Sequence, residues 1–419
     1  MSNPPHDPQG RRLLVIGAGA AGVFCAVNAA RMLPGLHVTI LEKSIKPLAK
    51  VKVSGGGRCN VTHDCPDPEE LILKYPRGKH FLRKAFHHFS CPDTVNWFQE
   101  RGVGIKTEAD GRMFPATNDS QTIIDCLFRE LNKYHVDLVL QADVTDVERH
   151  ESPEGTRFVV SGADGRQWTA EDLMLATGGL PRSGAPAWLL RMGHTIVAPA
   201  PSLFTFNLPK HPITELMGIS LPAEVSIRAL KLKERGPLLI THWGLSGPVV
   251  LKLSAWGARD LQELNYRFDV TVNFLPGRHE TGLLEEIRNL RGGDGAKTLL
   301  AHNPFGLPAR LWAFLLEGCG IGAQERWNML TNEKANRLAA AICGYVFHAD
   351  GKTTFKEEFV TAGGVALKEV DPHHFQSRKV PHLYFAGEVL DIDGITGGFN
   401  FQNAWTGGWL AARSIAGMY

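Results

Sequence analysis

The sequence predicts an α/β chain built on a discontinuous Rossmann-like domain, with a β-barrel-like insert and a helical insert. Three observations carry this expectation. An apolar run enters a glycine-rich turn near the start, and strand and helix signals alternate after it. The composition then changes character twice. Near the far end, a second glycine-rich turn opens an apolar helix. At 419 residues the chain exceeds what one core usually supports. The expected division is a dinucleotide-binding domain from residues 1–198 and 350–419, a β-rich insert at 199–279 and a helical insert at 280–349.

The first element is the most informative. Leu13 to Gly22 read LLVIGAGAAG, and Glu42 follows in TILEK. Leu13, Leu14, Val15 and Ile16 make a buried parallel strand. Gly17 allows a tight turn, Gly19 lets the backbone approach a pyrophosphate, and Gly22 lets the helix pack closely on the strand. Ala20 and Ala21 open that helix, whose free N–H groups and positive dipole end face the phosphates. The run HVTIL is the second strand. Glu42 stands at its end, where a carboxylate accepts bonds from both hydroxyls of an adenosine ribose.

Further along, SGGGRCN places Gly55 to Gly57 in a loop with unusual dihedrals, flanked by Arg58 and Asn60. Leu82 to Arg101 reads as one amphipathic helix, GRMFPAT as a turn and short strand, and Thr122 to Tyr134 as a helix. VDLVLQADVTDVER gives two strands, and a β-rich segment ends at Ala176-Thr177-Gly178-Gly179. Pro199 to Leu275 is proline-rich with short strand-like runs (LFTFNL, AEVSIRAL, PLLITH, YRFDVTVNFL), as in a small antiparallel sheet or barrel. Between Glu280 and Ile342 three stretches are helical by period. Phe355 onward returns to strands. Thr396-Gly397-Gly398 then leads into a helix over Phe401 to Ala416, a second N-terminus prepared for an anion. The first and last thirds therefore build one site, with the middle inserted between them.

Composition narrows the class. Hydrophobic content of 43% and charged content of 21% describe a globular protein without a membrane span. The net charge of +2 supplies no electrostatic case for nucleic acid or a membrane surface. Seven cysteines, an odd number without CxxC spacing, argue against a disulfide framework or a zinc site. With no apolar stretch before the first strand, the expected location is cytoplasmic.

Together the motifs resemble the HI0933-like (BaiN/YhiN-type) flavoprotein family. The matching strings are GAGAAG with Glu42-Lys43, SGGGRCNVT, DGRMFP, LATGGLP, THWGLSGPVVLKLS, TAGGV and LYFAGEVLDIDGITGGFNFQNAWTGG, in order over nearly the whole chain. The resemblance implies a discontinuous FAD-binding domain with two inserts. It also implies an NAD(P)/FAD-dependent oxidoreductase acting on a small-molecule substrate, with NAD(P)H as a candidate reductant. By the same resemblance Gly17, Gly19, Ala20, Ala21 and Glu42 hold the pyrophosphate and adenosine ribose, with Lys43 beside that ribose. Arg58, Cys59 and Asn60 line the middle of FAD, Val144 contacts adenine through its backbone, and Thr177-Gly178 close over the dinucleotide. Gly387-Glu388 approach the ribityl chain, and Asp393, Gly398, Phe399 and Asn400 cradle the isoalloxazine end. After LATGGLP this chain reads RSGAPAWLLRMGHT, where the family often carries a GSTGDGY-like string.

Several residues admit two readings. Cys59 is a packing residue or a redox thiol. Asp391 and Asp393 are turn or flavin contacts, or a metal pair. His242 is a lone histidine, structural or a general acid. Trp243, Trp405 and Trp409 are core residues or ring-stacking groups. Arg58 compensates the diphosphate or pairs with a surface acid. Two other functions stand beside the flavoenzyme: an NAD-dependent dehydrogenase in which Glu42 selects the 2′-hydroxyl, and a flavoprotein serving RNA modification or redox sensing. No second GxGxxG follows a strand, so no separate NAD(P)H domain is visible.

Overall fold

The computed structural model describes residues 10–152, 155–181, 184–353 and 360–418. They fall into two compact units, one from residues 1–200 with 356–419 and one from 201–355.

The first unit is organised by a five-stranded parallel sheet. Its order is Leu383–Phe385, Asp172–Leu175, β1 (Arg12–Ile16), β2 (His37–Glu42) and Asp137–Leu140. The core positions of β1 and of Asp172–Leu175 are buried, so these strands read as continuous apolar runs. Helix α1 (Ala20–Met32) follows β1, and nine of its residues are buried, Ala21 to Ala29 in one block. Such a helix is apolar all round and needs partners on several faces. One partner is the C-terminal helix, Phe399–Ile415. A Cβ at Gly408 would lie 2.7 Å from the Ala21 carbonyl oxygen, so the two backbones approach as only a glycine allows. The strand order thus brings the last residues of the chain against the first turn of α1.

One local expectation changes. Leu82 to Arg101 is not one helix but two, Lys79–Phe86 and Cys91–Gln99. The break is a helix start: the Ser90 backbone N–H donates to the Asp93 carboxylate at 2.7 Å, and Pro92 lies in the first turn. A cap of this kind specifies a new N-terminus within an otherwise continuous amphipathic pattern. After LATGGLP, Arg182 and Ser183 lie outside the described residues; the chain resumes with a short helix, Ala187–Arg191. The strand expected from Phe355 is described from Val360 to Val365.

The second unit holds a seven-stranded sheet. In order its strands are Tyr345–Asp350, Arg267–Asn273, Ser220–Ile227, Leu232–Ile240, Gly244–Ser246, Thr205–Asn207 and Lys352–Thr353. All recorded pairings in it are antiparallel. The two edge strands are separated only by Gly351, so the sheet curls until its edges meet, which is how a small sheet avoids open edges. The helices Glu280–Gly293, Ala309–Gly318 and Asn332–Gly344 share one hydrophobic cluster with these strands, from Phe204 and Val225 to Trp312 and Ile342. Pro248–Trp256, inside the stretch read as β-rich, is a helix begun by Pro248. Its VVLKL run favours a strand locally, and burial of Val249, Val250 and Leu253 in the cluster overrides that preference.

Candidate cofactor site

The glycines of the β1–α1 turn divide three tasks. Gly17 has φ +106°, and a Cβ there would sit 2.5 Å from the Ala176 carbonyl oxygen. Its N–H donates to Leu41 at 2.8 Å, tying the turn to β2. A Cβ at Gly22 would lie 2.0 Å from the Gly17 oxygen, so any larger residue would push α1 off the strand. Gly19 differs. Its φ of −84° suits any residue, and a Cβ on it would meet no atom within 4 Å. The protein itself does not need a glycine there; the open space over Gly19 is room for something else. Gly19 is also the N-cap of α1, without a side-chain cap and with no acidic residue in the first turn. The first N–H groups of a helix lack intrahelical partners, so this end presents donors to a ligand.

Glu42 is half-buried beside that turn. Its Oε2 accepts the Ala18 N–H at 2.9 Å and its Oε1 the Ser44 N–H at 2.8 Å. An ionised carboxylate has about four acceptor sites. Two backbone bonds therefore fix its orientation and leave capacity for a diol. Lys43 is exposed next to it. The Ala142 N–H donates to the Glu42 carbonyl at 2.9 Å, which brings Val144, two residues on, to the same side of the site. Thr177 and Gly178 follow the strand beside β1; Thr177 is exposed and Gly178 has φ +75°.

The C-terminal segment reaches the same place. A Cβ at Gly387 would stand 3.2 Å from the Ala21 Cβ. Glu388 pairs with Lys50 at 2.7 Å and accepts the Thr361 N–H at 2.7 Å. Gly397 and Gly398 have φ of +133° and +94°, and Gly398 is the N-cap of the C-terminal helix, again with no acidic residue in the first turn. A Cβ on Gly398 would lie 2.5 Å from the Thr62 carbonyl oxygen. The Asn60 amide, oriented to satisfy both its ends, donates to Thr62 O at 2.9 Å and Met113 O at 3.2 Å and accepts the Gly398 N–H at 2.9 Å. At this place the helix starts of α1 and of the C-terminal helix both lack a side-chain cap. These open donors, together with the space over Gly19, fit a dinucleotide.

Other expected site residues have their side chains engaged elsewhere. Arg58 pairs with Glu108 at 2.6 Å and lies 4.0 Å over the Phe114 ring, so its partner is the surface acid. Cys59 is buried with φ +60°, and burial pushes its thiol up to about 12, which leaves it a packing residue. Asp393 is buried, with both carboxylate oxygens on Arg77. The Asn400 amide closes its own loop, accepting from Gly394 N and donating to Gly394 O, each at 2.8 Å. Phe399 stacks on His63 with centroids 4.6 Å apart, and its carbonyl accepts the Tyr75 hydroxyl at 2.6 Å. At these positions only backbone groups remain to face a ligand. His63, Tyr75 and Arg77 were not expected from the sequence; only His63 had a signal, as the residue after SGGGRCNVT.

Trp405 is a core residue, buried, with its indole N–H donating to Val61 O at 2.9 Å, while the half-buried Trp409 stacks on Phe89 at 5.1 Å. His242 and Trp243, in the second unit, are exposed side by side. No helix among the described residues is long and apolar enough to cross a membrane.

Comparison with known proteins agrees with this fold. The family model for the HI0933-like protein Rossmann domain matches residues 11–414. A ribosomal RNA dihydrouridine synthase of Haemophilus influenzae is 32% identical over 96% of this chain and 98% of its own length. A 3-dehydro-bile acid delta(4,6)-reductase of Clostridium scindens is 30% identical over 97% of this chain and 99% of its own. The solved 3-ketosteroid-delta4-(5alpha)-dehydrogenase of Rhodococcus jostii covers 98% of both chains with a TM-score of 0.51 at 13% identity, which is a likeness of fold. The chain belongs to the HI0933-like family of Rossmann-domain flavoprotein oxidoreductases.

Proposed function

We propose that this protein is an FAD-dependent reductase that adds hydrogen across a carbon–carbon double bond conjugated to a carbonyl. The carrying observation is the turn at Gly17, Gly19 and Gly22, which leaves open space over Gly19 at an uncapped helix N-terminus with Glu42 beside it. When bound, FAD supplies the electron pair, transferred as hydride.

The residues of the chain bind and orient. Backbone donors at Gly19, Ala20 and Ala21 hold the pyrophosphate. Glu42 accepts the ribose hydroxyls, with Lys43 adding a positive charge at the rim. Val144 and Thr177-Gly178 flank the adenosine half. Gly387 and Glu388 flank the ribityl chain, and the backbone of Asp393, Gly398, Phe399 and Asn400 faces the ring end. The positive end of the C-terminal helix favours negative charge on the pyrimidine edge by roughly 0.3–1 kcal/mol when exposed and up to about 2 when partly buried.

The bond type rests on the relatives' names. Forming dihydrouridine and reducing a delta(4,6) bile acid both saturate a carbon–carbon bond conjugated with a carbonyl. A steroid-like enone is the small-molecule reading. Uridine in ribosomal RNA is the second, favoured by the relative at 32% identity, although the chain's charge is nearly balanced. Anaerobic titration with NADH and NADPH identifies the reductant. The reduced protein is then mixed with a 4,6-dien-3-one and, separately, with an unmodified ribosomal RNA transcript, following flavin reoxidation and product mass. Protein that neither contains FAD nor takes it up on reconstitution overturns the reading.

A further inference from the structure

The peptide joining Gly397 to Gly398 is gripped at both polar ends by one short segment of chain. Its carbonyl oxygen lies 2.9 Å from His63 Nδ1. Its N–H lies 2.9 Å from the Asn60 amide oxygen. A carbonyl only accepts, so His63 Nδ1 carries the proton and donates, and the neutral ring keeps its lone pair on Nε2. The two clamping residues are three positions apart, immediately after the Gly55 to Gly57 loop.

Such a peptide needs a clamp. Both flanking residues are glycines at positive φ, +133° and +94°, where no Cβ restrains rotation of the peptide plane. A flip would exchange the directions of the carbonyl and the N–H at the start of the C-terminal helix. It would also break both bonds and disturb the first turn of that helix, whose next N–H groups, at Phe399 and Asn400, face the ring end in the reading above.

His63 is itself held in place. It belongs to the strand Thr62–His63 and pairs with Arg112. Its ring lies against Phe399, and a Cβ on Gly111 would come within 2.6 Å of Nε2, so the imidazole edge is packed on Gly111. Burial pushes its pKa below the ordinary value, outweighing the Gly397 bond; Lys74, Asp110 and Asp64 also face it. The neutral donor form therefore persists at neutral pH.

We propose that His63 is a positioning residue for the flavin: with Asn60 it locks the Gly397–Gly398 peptide, and so fixes the first turn of the C-terminal helix, whose free N–H groups meet the ring end of the cofactor in its oxidised and reduced states. This rests on the FAD reading above. The His63→Phe variant keeps a ring against Phe399 but has no N–H, whereas His63→Asn retains a side-chain donor.

The test measures FAD dissociation constant, flavin reduction potential and apoprotein melting temperature for both variants. Loss of one neutral hydrogen bond predicts about tenfold weaker FAD binding in His63→Phe. If that loss falls on one redox state, the two-electron potential moves by about 30 mV. The His63→Asn variant should return both values close to wild type. Wild-type affinity and potential in His63→Phe would overturn the clamp, and so would equal shifts in both variants, which would assign the effect to ring packing. Wild-type protein that binds no FAD would overturn the cofactor reading itself, and this proposal with it.

Discussion

Replacing Gly19 by alanine separates a glycine the fold needs from a glycine the ligand needs. The residue sits at φ −84° and ψ −174°, which alanine adopts without strain, and its Cβ would meet no atom within 4 Å. Restricting the unfolded chain should leave the apoprotein unchanged or more stable by about 0.4–1 kcal/mol. The ligand suffers instead. A methyl in the open space would hold a pyrophosphate away from the backbone N–H groups, and one charge-assisted bond lost costs roughly 1.5–3 kcal/mol, about 10- to 150-fold in affinity. Gly22→Ala is the counterpart: its Cβ would lie 2.0 Å from the Gly17 oxygen, so the apoprotein itself should be destabilised. The assay is thermal melting of the two apoproteins with FAD titration followed by flavin fluorescence. A Gly19→Ala protein that melts early, or that binds FAD as tightly as wild type, would refute the division of labour among these glycines.

Other substitutions probe the rest of the site. Gly398→Val places a side chain 2.5 Å from Thr62 O at φ +94°; backbone strain alone is roughly 1–3 kcal/mol, so FAD should be lost or its visible spectrum shifted, while exposed Lys368→Ala does neither. An unchanged spectrum in Gly398→Val would detach the C-terminal helix from the cofactor. Glu42→Ala removes the acceptor of the Ala18 and Ser44 N–H groups as well as the expected ribose contact, so FAD should bind at least about tenfold more weakly with a modest fall in melting temperature; stoichiometric FAD after gel filtration would contradict this. Burial pushes the thiol of Cys59 up to about 12, and those of Cys91, Cys126 and Cys343 up to about 11. The unfolded chain releases these protons from about pH 8.5 while the folded chain keeps them, so stability falls as pH rises above that value. Iodoacetamide should label the buried Cys59, Cys91 and Cys126 slowly in native protein and rapidly in urea; fast native labelling would show these thiols are not enclosed.

Much of the site was legible because local chemistry dictates it. Only glycine serves at Gly17 and Gly22, one for its positive φ and one for its close backbone contact, so a turn of this shape writes itself into the sequence. The central parallel strands showed as apolar runs because they are buried on both faces. Where a competing local signal was strong, the reading failed. The Ser90–Asp93 cap split one expected helix, and Pro248 starts a helix inside the stretch expected to be β-rich.

What the sequence by itself determined is the dinucleotide turn, the acid at the end of β2, and the second helix start at Gly397-Gly398. Each is set by residues close together in the chain. Only the tertiary structure decided how the remaining side chains are engaged. Arg58 is taken by Glu108, Asp393 by Arg77, and the Gly397–Gly398 peptide by Asn60 and His63. Those partners lie tens to hundreds of residues apart in sequence. Hydrogen bonds and ion pairs act over a few ångströms of space, and no spacing rule along the chain records which distant groups folding brings within that reach.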